Sequence, residues 1–170
     1  TGGGISIRNS EASIINTSIN YNSCLRGGGI SSYSSDISLE NVLISNNIAN
    51  GEGGGIASHQ STVVIEDSHI LNNQSDDSGG AIVLSNSSLT IHSSLIENNL
   101  NTVYASSGGA IEVREGSSIT TSDVIFRNNH TTDTGGAVRL LGSVGEFYKT
   151  TFIDNSAGNC GGGIEAAWYS

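Results

Sequence analysis

The stretch Gly79–Asn99, GGAIVLSNSSLTIHSSLIENN, decides the fold. It opens on a glycine pair, a small residue and Ile82. It closes on Asn99, the end of an apolar-x-x-Asn signature. The same unit recurs along the chain. The apolar residue after the glycines is Ile5, Ile30, Ile56, Ile82, Ile111, Val138 and Ile164, at steps of 25 to 29 residues. The closing residue is Asn22, Asn47, Asn73, Asn99, Asn129 and Asn155. Self-similarity at a fixed period of this size marks a solenoid, because one unit cannot bury its apolar face until a neighbour stacks on it.

Counting back from each Asn exposes the strands. Three residues before it stand Ile19, Ile44, Ile70, Ile96, Phe126 and Phe152; eight before it stand Ile14, Leu39, Ile65, Ile91, Thr121 and Phe147. Ten before it stand Ala12, Ile37, Val63, Leu89, Ile119 and Gly145, so that Gly145 empties a core position in the sixth unit. The apolar positions alternate with polar ones, as in a strand with one buried face, and nowhere follow helical spacing for more than a turn. Each unit therefore holds about three short strands separated by corners rich in Ser, Asn, Asp and Gly. The compact solution is an all-β, single-stranded parallel β-helix. Its hand is right-handed, from the sterics of strand crossovers. One domain, 1–170, divides into coils 1–26, 27–52, 53–78, 79–107, 108–134 and 135–160 and a partial coil 161–170. The Asn column reads as a structural ladder, since an amide carries donor and acceptor on one side chain and stacked amides bond along the axis.

The repeat also resembles a known family. GGAI at Gly79–Ile82 and Gly108–Ile111, GGAV at Gly135–Val138, Phe126-x-x-Asn129 and Phe152-x-x-Asn155 are similar to the paired GGA(I/L/V) and FxxN motifs of the chlamydial polymorphic outer membrane proteins. The resemblance implies a surface-exposed β-helical passenger of an autotransporter that acts in adhesion. Localisation at the extracellular side or cell surface follows from the same likeness.

Composition bounds the partners. The chain carries a net charge of −10 with only six basic residues. That weighs against nucleic acid, which needs a basic footprint, and against anionic membranes and polyanionic ligands. No apolar run is long enough to span a bilayer, so no direct membrane insertion is expected. The chain lacks Met and end caps, and reads as a segment of a longer array. Exposed coil ends would favour head-to-tail stacking with itself or contact with other segments of the parent chain. Cys24 and Cys160 lie five coils apart, roughly 24 Å at the usual strand spacing, too far for a mutual disulfide. They either remain thiols or form an intermolecular disulfide with another segment or subunit.

Catalysis is not expected. The outward column after each aligned apolar residue reads Ser6, Ser31, Ala57, Val83, Glu112, Arg139 and Glu165; the next outward column reads Arg8, Tyr33, His59, Ser85, Arg114, Leu141 and Ala167. Neither stacks the carboxylates that calcium-assisted lyases or paired-acid hydrolysis require. Glu112, Arg139 and Glu165 read as a modest surface salt-bridge ladder. His59, His69, His92 and His130 share no column, no metal site is predicted, and no cofactor is implied. Sequons occur at Asn16, Asn73, Asn86 and Asn129; Asn86 and Asn16, at outward corners, are the candidates for N-glycans. The longest closing loop, 100–107, is a candidate contact loop. The reading is a non-catalytic structural or adhesive segment contacting surface glycans or host proteins. The alternative is a carbohydrate-binding or carbohydrate-active module, for which Tyr33 beside His59 begins an aromatic row that goes no further.

Overall fold

In coil three the chain runs straight four times, through Ile56–His59, Thr62–Glu66, His69–Leu71 and Gln74–Ser75. The first three runs are those expected from the alternating pattern. The fourth follows the ladder Asn and is only two residues long, too short to show a period of two in the sequence. This computed structural model describes residues 2–102 and 108–168. Stacking the coils gives four parallel sheets, one of seven strands and three of six. Equivalent positions pair in register, as in Val63 with Leu89 and Ile65 with Ile91. Apolar columns are thereby laid end to end. Ile37, Val63, Leu89 and Ile119 are all at most 3% exposed, and a single core of such columns runs through the stack.

The corners follow one rule. Before each corner a residue sits in the left-handed region: Gln60 (φ 51°), Asp67 (φ 47°) and Asn72 (φ 56°) in coil three. The backbone bends there, and the direction of hydrogen bonding reverses. At the first corner of coil two, Ser34 N–H donates to His59 C=O in the following coil at 3.0 Å, whereas Asp36 N–H donates to Ser10 C=O in the preceding coil at 3.2 Å. Ser35 N–H, between them, donates to the side-chain Oγ of Ser61 at 3.1 Å. The second corner repeats this: Asn41 N–H to Glu66 C=O, Val42 N–H to Ser68 Oγ at 3.0 Å, Leu43 N–H to Thr17 C=O. At the third, Asn46 N–H goes to Leu71 C=O, Asn47 N–H to Asn73 Oδ1 at 3.0 Å, and Ile48 N–H back to Asn22 C=O. Where the column holds Ser or Asn, a short acceptor side chain just past the bend thus satisfies the one N–H that no carbonyl reaches; Val42 and Val124 interrupt the second-corner column.

The Asn column satisfies its amides along the coil interior. Asn73 Nδ2 donates to Ile44 C=O at 3.0 Å and to Asn99 Oδ1 at 3.2 Å, while its Oδ1 accepts from both Asn47 N–H and Asn47 Nδ2 at 3.0 Å. Asn99 and Asn129 repeat the arrangement. Asn47, Asn73 and Asn129 are fully buried; Asn22 and Asn155, near the two ends, are half-buried. The ladder residues themselves do not take the left-handed conformation; the residue before each does, including Asn46, Asn72, Asn98 and Asn128.

The fourth corner is built on glycine. Gly53, Gly79 and Gly135 have φ between 58° and 69°, and a Cβ on Gly54 would stand 2.3 Å from the Gly80 carbonyl oxygen. The coils are too close there for any side chain. Coil six departs from the expectation at Gly145. The position is not empty: a Cβ there would meet Leu140 Cδ1 and the Phe147 ring at 2.8 Å. The absent side chain makes room for aromatic packing, in which Phe147 lies edge-on to Phe152 and Phe152 stacks on Phe126 at 5.0 Å.

Truncating the ladder has a position-dependent cost. Asn73→Ala takes the side-chain partner from Asn47 N–H and Ile44 C=O and one of the two bonds from Asn47 Nδ2, and is expected to destabilise by about 3–5 kcal/mol. Ser61→Ala strands Ser35 N–H alone, at about 1–3 kcal/mol. Half-buried Asn22→Ala should cost less than Asn73→Ala. Urea denaturation followed by far-ultraviolet circular dichroism measures all three.

Candidate functional site

The densest chemistry lies on the outer face of the seven-stranded sheet. Side chains one residue past the aligned apolar position point outward here, yet Ala57 and Val83 are fully buried and Glu112 is 3% exposed. The residues just before each glycine pair supply part of the cover. Ser78, itself buried, hydrogen-bonds the adjacent Asp77 Oδ1 at 3.4 Å, and Glu52 meets Arg114. Glu112, Arg139 and Glu165 do pair along their column, but Glu112 is buried while Arg139 and Glu165 stay part-exposed, so the ladder is partly covered rather than wholly on the surface.

Arg114 extends from coil five past Ser85, a small residue in the same column, to place Nη2 at 2.7 Å from Glu52 Oε1. The other Glu52 oxygen stands 3.5 Å from His59 Nε2 and 3.6 Å from Arg26 Nε. In the other direction, Glu112 Oε1 lies 3.8 Å from Arg114 Nη1 and 3.9 Å from Arg139 Nη1. Arg139 Nε donates to Glu165 Oε2 at 3.0 Å. Six charged residues and His59 thus form one chain of contacts along the stack. Separate cross-coil pairs on other faces, such as Arg127 Nε to Glu97 Oε2 at 3.0 Å, follow the strand register.

Two carboxyls in the network are driven apart. His59, against the opposing effect of burial and with Arg114 and Arg26 adding to it, holds Glu52 down to about 2. Burial raises Glu112 above its ordinary value, against the pull of Arg114, Ser78 and Arg139, and nearby Asp77 adds to the rise. Glu52 is thus a fixed anion, and Glu112 is the group for which ionisation is costly.

The residues singled out from sequence are spread over the rod. The six Asn form the interior ladder described above. Asn16 and Asn86 are exposed in left-handed backbone, and their amides are engaged by Asn41 Nδ2 at 2.6 Å and by Glu115 Oε2 at 3.0 Å. The sequons at Asn73 and Asn129 are buried in the ladder. Cys24 is half-buried in the strand Ser23–Cys24, whereas Cys160 is exposed ahead of Gly161. Of loop 100–107, Leu100–Asn101 forms a strand and residues 103–107 lie outside the described residues. His69 and His130 are exposed on other faces. Sequence reasoning missed Glu52, although it is the only acid among residues placed just before a glycine pair. It also missed the Ser column, Ser10, Ser35, Ser61, Ser87, Ser117 and Ser143, which lies twelve residues before each ladder Asn.

The parallel coils and their ladders agree with the comparisons. Residues 1–118 match the family described as a right handed beta helix region, and the chain belongs to that family. Residues 149–167, which include Phe152–Asn155 and Gly161–Ile164, match a Chlamydia polymorphic membrane protein repeat. The two matches together are those of a β-helical segment of a surface protein. Nothing matches among the curated proteins or the solved structures.

The network makes stability pH-dependent. Glu52 has a lowered value, so its contribution is fully present above its ordinary 4.5 and is lost as pH falls toward about 2. Glu52→Gln is expected to remove about 2–4 kcal/mol near neutrality, with the gap to wild type closing as pH falls through that window. Glu112→Gln is expected to be neutral or stabilising at pH 7, because it deletes a costly buried charge. Urea titrations at pH 7, 4 and 3 check both.

Proposed function

We propose that this chain is a rigid, non-catalytic β-helical segment of a cell-surface protein, with its outer faces making adhesive contacts. The observation that carries the reading is the polymorphic membrane protein repeat at residues 149–167, set in one unbroken parallel stack. Corner bonds and core columns hold such a rod together, which leaves many outward positions free to vary in chemistry from coil to coil. The charged groups of the largest sheet's outer face support the non-catalytic part: Glu52, Glu112 and Glu165 are each paired with arginine, an arrangement of ion pairs along the stack rather than of an acid and base across a cleft.

Antibodies raised against the purified chain should label intact cells of its source, and the labelled chain should attach saturably to host or partner cells in flow cytometry. A panel of polysaccharides incubated with the chain should release neither reducing nor unsaturated ends. Labelling only after lysis, or absence of saturable attachment, would overturn the surface-contact reading. Turnover of any polysaccharide would overturn the non-catalytic one.

A further inference from the structure

One groove on the outer face of the seven-stranded sheet differs in chemistry from the rest of the rod. Arg8, Tyr33 and His59 occupy one outward column in consecutive coils, with Arg8 paired in register to Tyr33 and Tyr33 to His59. Arg26 and Ser31 also line this groove of about 270 Å³. Tyr33 is 48% exposed and offers both a ring face and a hydroxyl. Two of the chain's six Lys and Arg residues therefore meet here, in a molecule of net charge −10. Among the described residues Arg8 makes no ion pair, and Arg26 makes one, at 3.6 Å to Glu52. Glu52 is already engaged by Arg114 at 2.7 Å and by His59 at 3.5 Å, so it does not neutralise both guanidinium groups.

We propose that this groove binds a singly charged sugar acid at the end of a glycan. Guanidinium forks hold a carboxylate through paired, charge-assisted hydrogen bonds, which gives Arg8 and Arg26 their role. The exposed Tyr33 ring packs against the apolar face of the sugar, while its hydroxyl and Ser31 serve the ring hydroxyls. The volume lies below the range of drug-sized sites, so the groove takes one ring rather than an oligosaccharide. Charge sets the valence. Round the next corner Glu11 and Asp36 stand side by side, and with the −10 overall they repel the further charges of a polyanion. The net acidity that weighs against polyanions therefore leaves room for a single anion in this one place.

The proposal deepens the contact role argued above by naming a ligand class for one of its contacts. It is tested by titrating the ¹⁵N-labelled chain with the methyl glycoside of N-acetylneuraminic acid and with methyl glucuronide, and following amide shifts. Saturable binding of one or both, at roughly millimolar affinity, is expected, with shifts centred on Arg8, Arg26, Tyr33 and His59. Arg8→Gln and Arg26→Gln should each weaken it by about fivefold or more, and Lys149→Gln, at a corner between two other strands, should leave it unchanged. Circular dichroism confirms that each variant is folded; should either arginine variant unfold, Tyr33→Ala replaces it and must weaken binding as well. Absence of saturation by both acids would overturn the proposal. So would equal binding of a neutral methyl galactoside, of acetate or of a glutamate-rich peptide, tighter binding of polygalacturonate, or indifference to the pocket variants. Cell attachment separates the two readings: attachment retained by a chain that binds no sugar acid sinks only the groove, and sugar-acid binding by a chain that attaches to no cell sinks only the surface role.

Discussion

At each of the three ladder corners one backbone N–H loses its carbonyl partner. The residue in the left-handed region still donates to the following coil, and the residue two places on already donates to the preceding one. The amide between them points to neither. Left unpaired in the interior it would cost about 1–3 kcal/mol, and a stack of corners would multiply that beyond the net stability of an ordinary domain, about 5–15 kcal/mol. A short acceptor from the neighbouring coil resolves the problem, and its reach dictates the residue type. Ser reaches at the first corner and at those second corners where Val does not replace it, and the third corner takes Asn, whose amide also ties the ladder along the axis. The register of the whole rod follows, because an acceptor column works only if equivalent residues lie directly above one another.

That constraint separates interior from exterior. Core columns and corner acceptors are committed to holding the coil, so chemistry that varies from coil to coil is confined to outward positions and to the segments before the glycine pairs. On the outer face of the seven-stranded sheet both contribute. Arg114 comes from a strand and Glu52 from such a segment, and the meeting of the two buries charge where the strand pattern alone predicts solvent. Breaking such a pair leaves a buried guanidinium without its anion, which makes the network sensitive to acid even though its members are not all favourable. At the N-terminal side the network runs out into the groove of Arg8 and Tyr33, where positive charge is no longer matched.

The fold was legible because its signal is periodic. Ile56, Ile82 and Ile111 pair in register as their spacing implies, and the Asn column falls inside as its donor and acceptor demand. What escaped was of two kinds. Ser61 and its column were hidden by composition: in a chain so rich in serine, an unbroken column looks like solvent-facing polarity until the corner geometry assigns each hydroxyl a partner. Glu52 and Arg114 were hidden by distance, since residues 62 apart come together only through the lateral cover of the sheet, which column-by-column reading does not include. Gly145 was misread for a related reason. A missing side chain was counted as a void, whereas the rings of Phe147 and Phe152 share the space.

Amide hydrogen exchange by NMR tests the central claim most directly. The amides of Ser35, Ser61, Asn47 and Asn73 sit at corners, where irregular backbone ordinarily exchanges fast. If a side-chain acceptor in the next coil satisfies each of them, they are protected to the same degree as the mid-strand amides of Val63 and Ile65, and Ser61→Ala lowers protection at Ser35 selectively. Exchange of these four amides at the rate of exposed loops, with the strands protected, would contradict the account and place the stability of the rod in its core columns alone.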